Sequence, residues 1–386
     1  MSLRTTAAPR ALAVLLASCL ALAATGCAGA DAPGPDAKSG ASRSGAVPGA
    51  DPITPPPPSP TLSEAERVTS LPTGPKAEFR TRSTLDDGTT IDLTTLVGKK
   101  SGFTGKVWVW TPKQYADPAY AKSGFPVLVA LPGGPGYPDN YWIGGDLQLQ
   151  QRVTEWSKQG RSLPFIIVMP VLNPDSKHYY DGADIPGQPK MGTWLTEDVP
   201  DLVRANFRTF KDRDGWAFLG ASSGAFAGLN SVLRKPDRFK AVVAAGPDTE
   251  PDSPLWRGHE NERDANNPEK LAAALLAKGG PDVYLAFDIG ASEGGIEKLR
   301  KFIANYGKGP VKTRLHVIQG GAHSAKTYVR GFGEGSLEWI SKQLRAPIAD
   351  PAAGASPAAS SAPAPGSSAP AAGASRGSVT GAPAAP

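Results

Sequence analysis

The chain has 386 residues, with 44 glycines, 39 prolines, two cysteines and a formal charge of +5. The charge is mild and forms no dense Lys/Arg stripe with interleaved aromatics, which argues against nucleic-acid binding. Two cysteines cannot build a disulfide scaffold. With no H-E-x-x-H, cysteine cluster or P-loop, neither a metal nor an organic cofactor is expected.

In chain order, residues 1–26 read as an export signal: Arg4 and Arg10, then the apolar run "ALAVLLASCLALA", then "AATGC". The run is too short for a comfortable membrane span. Both cysteines, Cys19 and Cys27, lie in this region. "ATGC" resembles the box in which a bacterial lipoprotein cysteine receives its lipid, with Ala24 where a larger aliphatic residue is usual. "LASC" matches that box more closely, but the apolar core before Cys19 would be very short. Cys27 is therefore the expected lipidation site and membrane tether, against an ordinary cleaved signal with an incidental cysteine. Residues 27–74, including "PPPPSP", and residues 346–386 are dominated by Pro, Ala, Gly and Ser. Such segments bury too little apolar surface to fold and read as linker and tail. Residues 75–345 carry all eight tryptophans and form the expected single domain.

Within that domain, apolar runs bounded by Pro or Gly read as strands. "KVWVWT" (106–111) alternates, as an outer or half-buried strand would. "PVLVALPGG", "PFIIVMP", "WAFLG", "KAVVAAG", "VYLAFDIG" and "RLHVIQGG" come next, as in a buried, mostly parallel sheet. Helical patterns lie between them: "WLTEDVPDLVRANF" capped by Thr193, "SGAFAGLNSVLRK", "GIEKLRKFIANYG" and "SLEWISKQL". The alternation predicts an α/β fold with helices on both faces, whose sites gather at the carboxyl edge of the sheet. The segment 176–192 lacks periodicity and reads as a pocket overhang or a surface excursion.

The spacing G-x-S-x-G occurs three times, as "GASSG" (220–224), "GASEG" (290–294) and "GASRG" (373–377). The last falls in the tail, where nothing holds a serine in a reactive geometry. The first succeeds a strand and enters a helix at once, between small residues, as a strained nucleophile elbow requires. The second runs on through Gly294 and Gly295, which suggests a loop. Ser222 is thus preferred to Ser292. A serine hydroxyl needs an imidazole to take its proton and an acid to orient that imidazole. Of the four histidines, His316 sits inside a strand, and His178 and His259 have no positional argument. His323 comes just after a strand end in "QGGAHSAKTY". Glu293 is the leading acid, with Asp288 and Asp248 as alternatives. Oxyanion donors are expected from the N–H of Ser223 and from the loop 132–136, with Gly134 preferred and Gly133 or Gly136 possible.

These segments resemble the esterase D family of α/β-hydrolases, which includes the antigen-85 mycolyltransferases and feruloyl-type esterases. The likeness spans about 103–344 and rests on "VLVALPGGPG…YW", "VMP…YYD", "TWLTEDVPDLVRANFR", "WAFLGASSGAFAGLNSVLRKPDRFKAVVAAGP", "VYLAFDIGASE" and "GGAHSAKTYVRGFGEGSLEWIS". It implies an α/β-hydrolase fold, a Ser222–Glu293–His323 triad and an oxyanion donor at Gly134. Departures are Ser223 where Met is usual, Pro132 before the loop glycines, Ala225 in place of a second glycine, and Tyr328 in place of an aromatic two residues after the histidine. The expectation is an exported, membrane-tethered serine hydrolase acting on a small-molecule or glycolipid ester. The alternatives are an acyltransferase on envelope glycolipids and a wall-binding protein that has lost turnover. The oligomeric state is not legible.

Overall fold

The computed structural model describes residues 62–351. The expected signal, Cys27, most of the linker, "GASRG" and the tail from residue 352 lie outside the described residues. The strands are β1 (Thr69–Ser70), β2 (Arg80–Thr84), β3 (Thr90–Val97), β4 (Thr104–Trp110), β5 (Val127–Leu131), β6 (Ile166–Pro170), β7 (Thr209–Phe210), β8 (Trp216–Ala221), β9 (Ala241–Ala245), β10 (Val283–Gly290) and β11 (Val311–Ile318). The helices are α1 (Glu64–Val68), α2 (Leu149–Lys158), α3 (Met191–Thr193), α4 (Val199–Asn206), α5 (Ser223–Arg234), α6 (Glu260–Ala265), α7 (Pro268–Lys278), α8 (Ile296–Tyr306), α9 (Ala325–Gly331) and α10 (Leu337–Ser341). Among the described residues, no helix is long and apolar enough to cross a membrane.

One sheet runs in the order β11-β10-β9-β8-β5-β6-β4-β3-β2. From β11 to β6 the strands are parallel. β4, β3 and β2 add on antiparallel. Every residue of β5, β6, β8 and β9 is buried. Consecutive burial means that both faces are covered, and at about 1.5–3 kcal/mol for each large aliphatic side chain these runs form the core. Helix α5 packs on β5, β8 and β9, while α10 reaches β9 and β10.

Three expectations are corrected. β4 is neither an outer strand nor a half-buried one along its second half: it lies between β3 and β6, and Val107 to Trp110 are buried in succession. The hairpin β2–β3 covers that edge. Its turn places Gly88 at φ +83°, and the largely exposed, polar β2 offers no apolar period to read. Secondly, Thr193 does not cap its helix. The helix begins at Met191, and Asp184 accepts the Thr193 N–H (2.8 Å) and its hydroxyl (2.6 Å) instead. Thirdly, ordered structure extends beyond 75–345 on both sides. Ser63 and Glu66 form a capping box for α1, and β1 pairs with β7. At the other end the Ile348 N–H bonds Ser123 Oγ (2.8 Å) and the Asp350 N–H bonds the Ala119 carbonyl (2.7 Å). Capping and backbone pairing hold these flanks, so a reading based on apolar burial passes over them.

Candidate active site

Five loops leave the carboxyl ends of β5, β8, β9, β10 and β11, which are contiguous in the sheet, and they meet at one edge. The turn from β8 to α5 is the tightest. Ser222 has φ +51° and ψ −120°, a conformation that side-chain-bearing residues avoid. The glycines two residues either side make this possible. A Cβ on Gly220 would collide with the Gly224 carbonyl, and one on Gly224 with the carbonyls of Leu131 and Pro132. The Ser222 N–H is anchored on the Ala245 carbonyl at 2.8 Å. Ser223 opens α5, so its N–H has no intrahelical partner, and the positive end of the helix points at the turn.

The loop after β5 lies against this elbow. Gly134 has φ +64°, and its carbonyl accepts the Ser223 hydroxyl at 2.6 Å. The Gly133 N–H is already engaged, donating to the Tyr141 hydroxyl at 2.7 Å. The Gly136 carbonyl takes the Leu172 N–H, tying this glycine to the neighbouring loop. Among the described residues the N–H groups of Gly134 and Ser223 have no protein partner. They are therefore two free donors on facing loops. Burial pushes the Tyr141 phenol up to about 12, with the Gly133 N–H pulling the other way. Tyr141 thus keeps its proton beside the elbow.

At the far end of the edge, His323 Nδ1 lies 2.6 Å from Glu293 Oε2. The imidazole is 52 % exposed, whereas the carboxylate is only 8 % exposed. Glu293 Oε1 accepts the Gly290 N–H at 2.6 Å, so the loop that supplies the acid also orients it. Tyr328 donates to Glu293 Oε2 at 2.9 Å and lies 2.7 Å from His323 Nδ1. Burial raises the Tyr328 phenol, and the charge of Glu293 adds to the effect. A cleft of about 300 Å³ opens beside the imidazole, lined by Gly246, Asp248, Ile289, Ser292, Glu293 and His323 among others.

The other candidates separate cleanly. Asp288 is fully buried beside His316 Nδ1 (3.3 Å) and the Ser336 hydroxyl, on the strand itself and away from the loop that meets His323. Burial raises its carboxyl, against the hydrogen bonds from His316 and Ser336. Asp248 lines the cleft but pairs with Lys298 at 3.4 Å. Ser292 donates to the Gly321 carbonyl at 2.6 Å in an open loop. His178 is exposed, and His259 precedes α6. The segment 176–192 is packed down, since Asp181 accepts the Trp256 indole N–H (2.7 Å) and Ser253 bonds the Tyr179 carbonyl (2.5 Å).

The structure therefore brings Glu293 and His323 into direct contact and gathers Ser223 and Gly134 at the elbow. It forms no direct hydrogen bond between the Ser222 hydroxyl and His323. The link runs through the backbone: Ser222 bonds Ala245, and a Cβ on the next residue, Gly246, would overlap the Tyr328 hydroxyl and press on Glu293 Oε2. Serine–imidazole bonds commonly tighten only when substrate is bound. Tyr141 carries no functional signal in the sequence, and Tyr328 reads there only as a displaced aromatic. The detectable signal for Tyr328 is the Ser324 cap, which starts a helix just after His323.

A parallel sheet with a serine elbow and an acid–imidazole pair at one edge is the arrangement of the α/β-hydrolase fold. Residues 104–325, more than half of the chain, match the Esterase family, and the chain belongs to it. It is 27% identical over 250 residues to an uncharacterised protein of Corynebacterium glutamicum, covering 58% of this chain and 55% of that one. The match thus spans about half the length of that curated relative. Among solved structures it is similar to a ferulic acid esterase (TM-score 0.52, 21% identity, covering 66% of this chain and 99% of the other). It is also similar to an S-formylglutathione hydrolase from Agrobacterium tumefaciens (0.53, 17%, 69% and 100%). A fluorophosphonate-binding serine hydrolase from Staphylococcus aureus matches too (0.51, 14%, 66% and 98%). At such identities these likenesses carry the fold alone.

Proposed function

We propose that this chain hydrolyses carboxylic esters through an acyl-enzyme on Ser222. The observation that carries the reading is the strained elbow, with two unpartnered amides beside it, on the sheet edge that also holds the Glu293–His323 pair. In this mechanism Ser222 Oγ attacks the ester carbonyl carbon and its proton passes to His323 Nε2. The Nδ1–H remains on Glu293, which stabilises the imidazolium. The N–H groups of Ser223 and Gly134 receive the oxyanion, each contributing about 10²–10³ in rate. Collapse expels the alcohol, which takes the proton from His323. Water then attacks the acyl carbonyl and gives a proton to His323 Nε2; the bond to Ser222 Oγ breaks, Oγ takes that proton back, and the carboxylic acid leaves.

The half-exposed imidazole supports water as the second acceptor. An envelope glycolipid acceptor would make the same acyl-enzyme a transferase, and product analysis with and without an added alcohol separates the two. The signal-like residues 1–26 and Cys27 support an exported protein tethered by lipid, which metabolic labelling with a fatty-acid probe tests on wild type and Cys27→Ser. For the activity itself, a fluorophosphonate probe labels the wild type and Ser222→Ala abolishes labelling. Undiminished labelling in that variant moves the nucleophile elsewhere. An unlabelled wild type favours a binding protein on this fold.

A further inference from the structure

We propose that Tyr328 is a positioning residue of the Glu293–His323 pair, holding the carboxylate where it keeps the proton on imidazole Nδ1. The inference rests on the serine-esterase reading above. Three polar atoms form a closed triangle: His323 Nδ1 to Glu293 Oε2 is 2.6 Å, Tyr328 Oη to Glu293 Oε2 is 2.9 Å, and Tyr328 Oη to His323 Nδ1 is 2.7 Å. The protons in this triangle are one phenolic and at most one on Nδ1. Were the phenol to donate to Nδ1, Nδ1 and Oε2 would face each other across 2.6 Å as two lone pairs. The imidazole would then carry its proton on Nε2 and could not accept one from serine. With the phenol donating to Oε2, the proton sits on Nδ1, and the Nδ1–H is shared between Oε2 and the phenol oxygen. Nε2 is then left as the acceptor that Ser222 requires.

Two features of the chain build this arrangement. Ser324 caps α9 directly after His323, accepting the Thr327 N–H, so one helical turn returns Tyr328 beneath the imidazole, edge to face at 5.5 Å between ring centroids. Gly246, at φ +59°, leaves the space that the hydroxyl fills, since a Cβ there would overlap Tyr328 Oη. Tyr328 is 1% exposed, so water does not readily replace its hydroxyl. The charged and titratable groups around the pair are few: Glu293 and Tyr328 at Nδ1, Asp248 across the cleft in its pair with Lys298, and Tyr141 facing Tyr328. A second donor on Oε2 spreads the charge of the carboxylate. It thereby limits how tightly Glu293 holds an imidazolium that must return its proton to the leaving group.

The test is Tyr328→Phe in the intact protein, with Gly246→Ala as the second variant, because an alanine methyl displaces the hydroxyl while keeping the phenol. In Tyr328→Phe we expect kcat to fall about tenfold with KM little changed, a loss within the range of proton-transfer efficiency. The acidic limb of the kcat/KM profile moves to higher pH, because the less shielded carboxylate favours the imidazolium. The His323 Nδ1–H resonance, read by NMR independently of turnover, shifts in both variants. A uniform fall in rate with an unmoved limb and resonance overturns the proposal, as does wild-type behaviour in folded Tyr328→Phe. Loss of labelling in Ser222→Ala, by contrast, bears on the esterase reading alone.

Discussion

The two G-A-S-x-G segments inside the domain end two parallel strands of one sheet and have opposite fates. At 220–224 the serine is strained, its hydroxyl makes no hydrogen bond among the described residues, and the chain enters α5 at the next residue. At 290–294 the serine hydroxyl is spent on the Gly321 carbonyl, and the residue after it, Glu293, faces the imidazole. The first glycine of each is packed against backbone: a Cβ on Gly220 would strike Gly224, and one on Gly290 would strike Gly321. The two segments diverge at the residue after the serine and in the chain just beyond it. An immediate helix start lifts the serine out of the turn, whereas Gly294 and Gly295 let the second segment lie flat before α8 begins at Ile296. In the proposed mechanism the same five-letter spacing supplies a nucleophile in one place and an acid in the other.

The largest expected effect on this contrast is Ser222→Ala, which lowers kcat for p-nitrophenyl esters by about 10⁴-fold or more, while Ser292→Ala stays within about twofold. Comparable losses in both variants would break the distinction. Next is Glu293→Gln, expected to lower kcat by about 10²–10⁴, against a change of a few-fold at most for Asp248→Asn and for the buried Asp288→Asn where it folds. A dominant loss at Asp248 in steady-state assays would return the acid to the loop after β9. Ser223→Ala removes the bond to the Gly134 carbonyl and loosens one oxyanion donor against the other, for an expected fall of about tenfold in kcat, tested by the affinity of a phosphonate analogue. The smallest effect is thermodynamic. Ser222→Gly relieves the positive φ and should raise stability by about 1 kcal/mol, a few degrees of Tm by calorimetry, while activity is lost. The same exchange at Ser292, which carries no positive φ, should not raise it.

Residues 104–325 owe their legibility to strong local signals. Short apolar runs between Pro and Gly mark strands, buried throughout in β5, β6, β8 and β9 but only half-buried in the edge strand β11, and Gly-Ala-Ser-Ser-Gly between a strand and a helix turns through an elbow that small residues allow. Those features are written in neighbouring letters, so the sheet, the serine and the amide beside it could be read directly. The hairpin β2–β3 and the segment 64–70 were silent because backbone pairing and capping, not apolar period, hold them. Among the acids the letters favoured Glu293 but left Asp288 and Asp248 open. Asp288 and Glu293 are five positions apart on one strand and its exit loop, and only the register of β10 against β11 sends the first to His316 and leaves the second for His323. Tyr328 and Gly246 meet across 82 positions of sequence, through the fit of one hydroxyl into the space of one missing methyl. Local conformational preference is a property of adjacent residues, but the distance between two side chains on different strands is set by packing of the whole sheet, and that is where the tertiary structure decided the site.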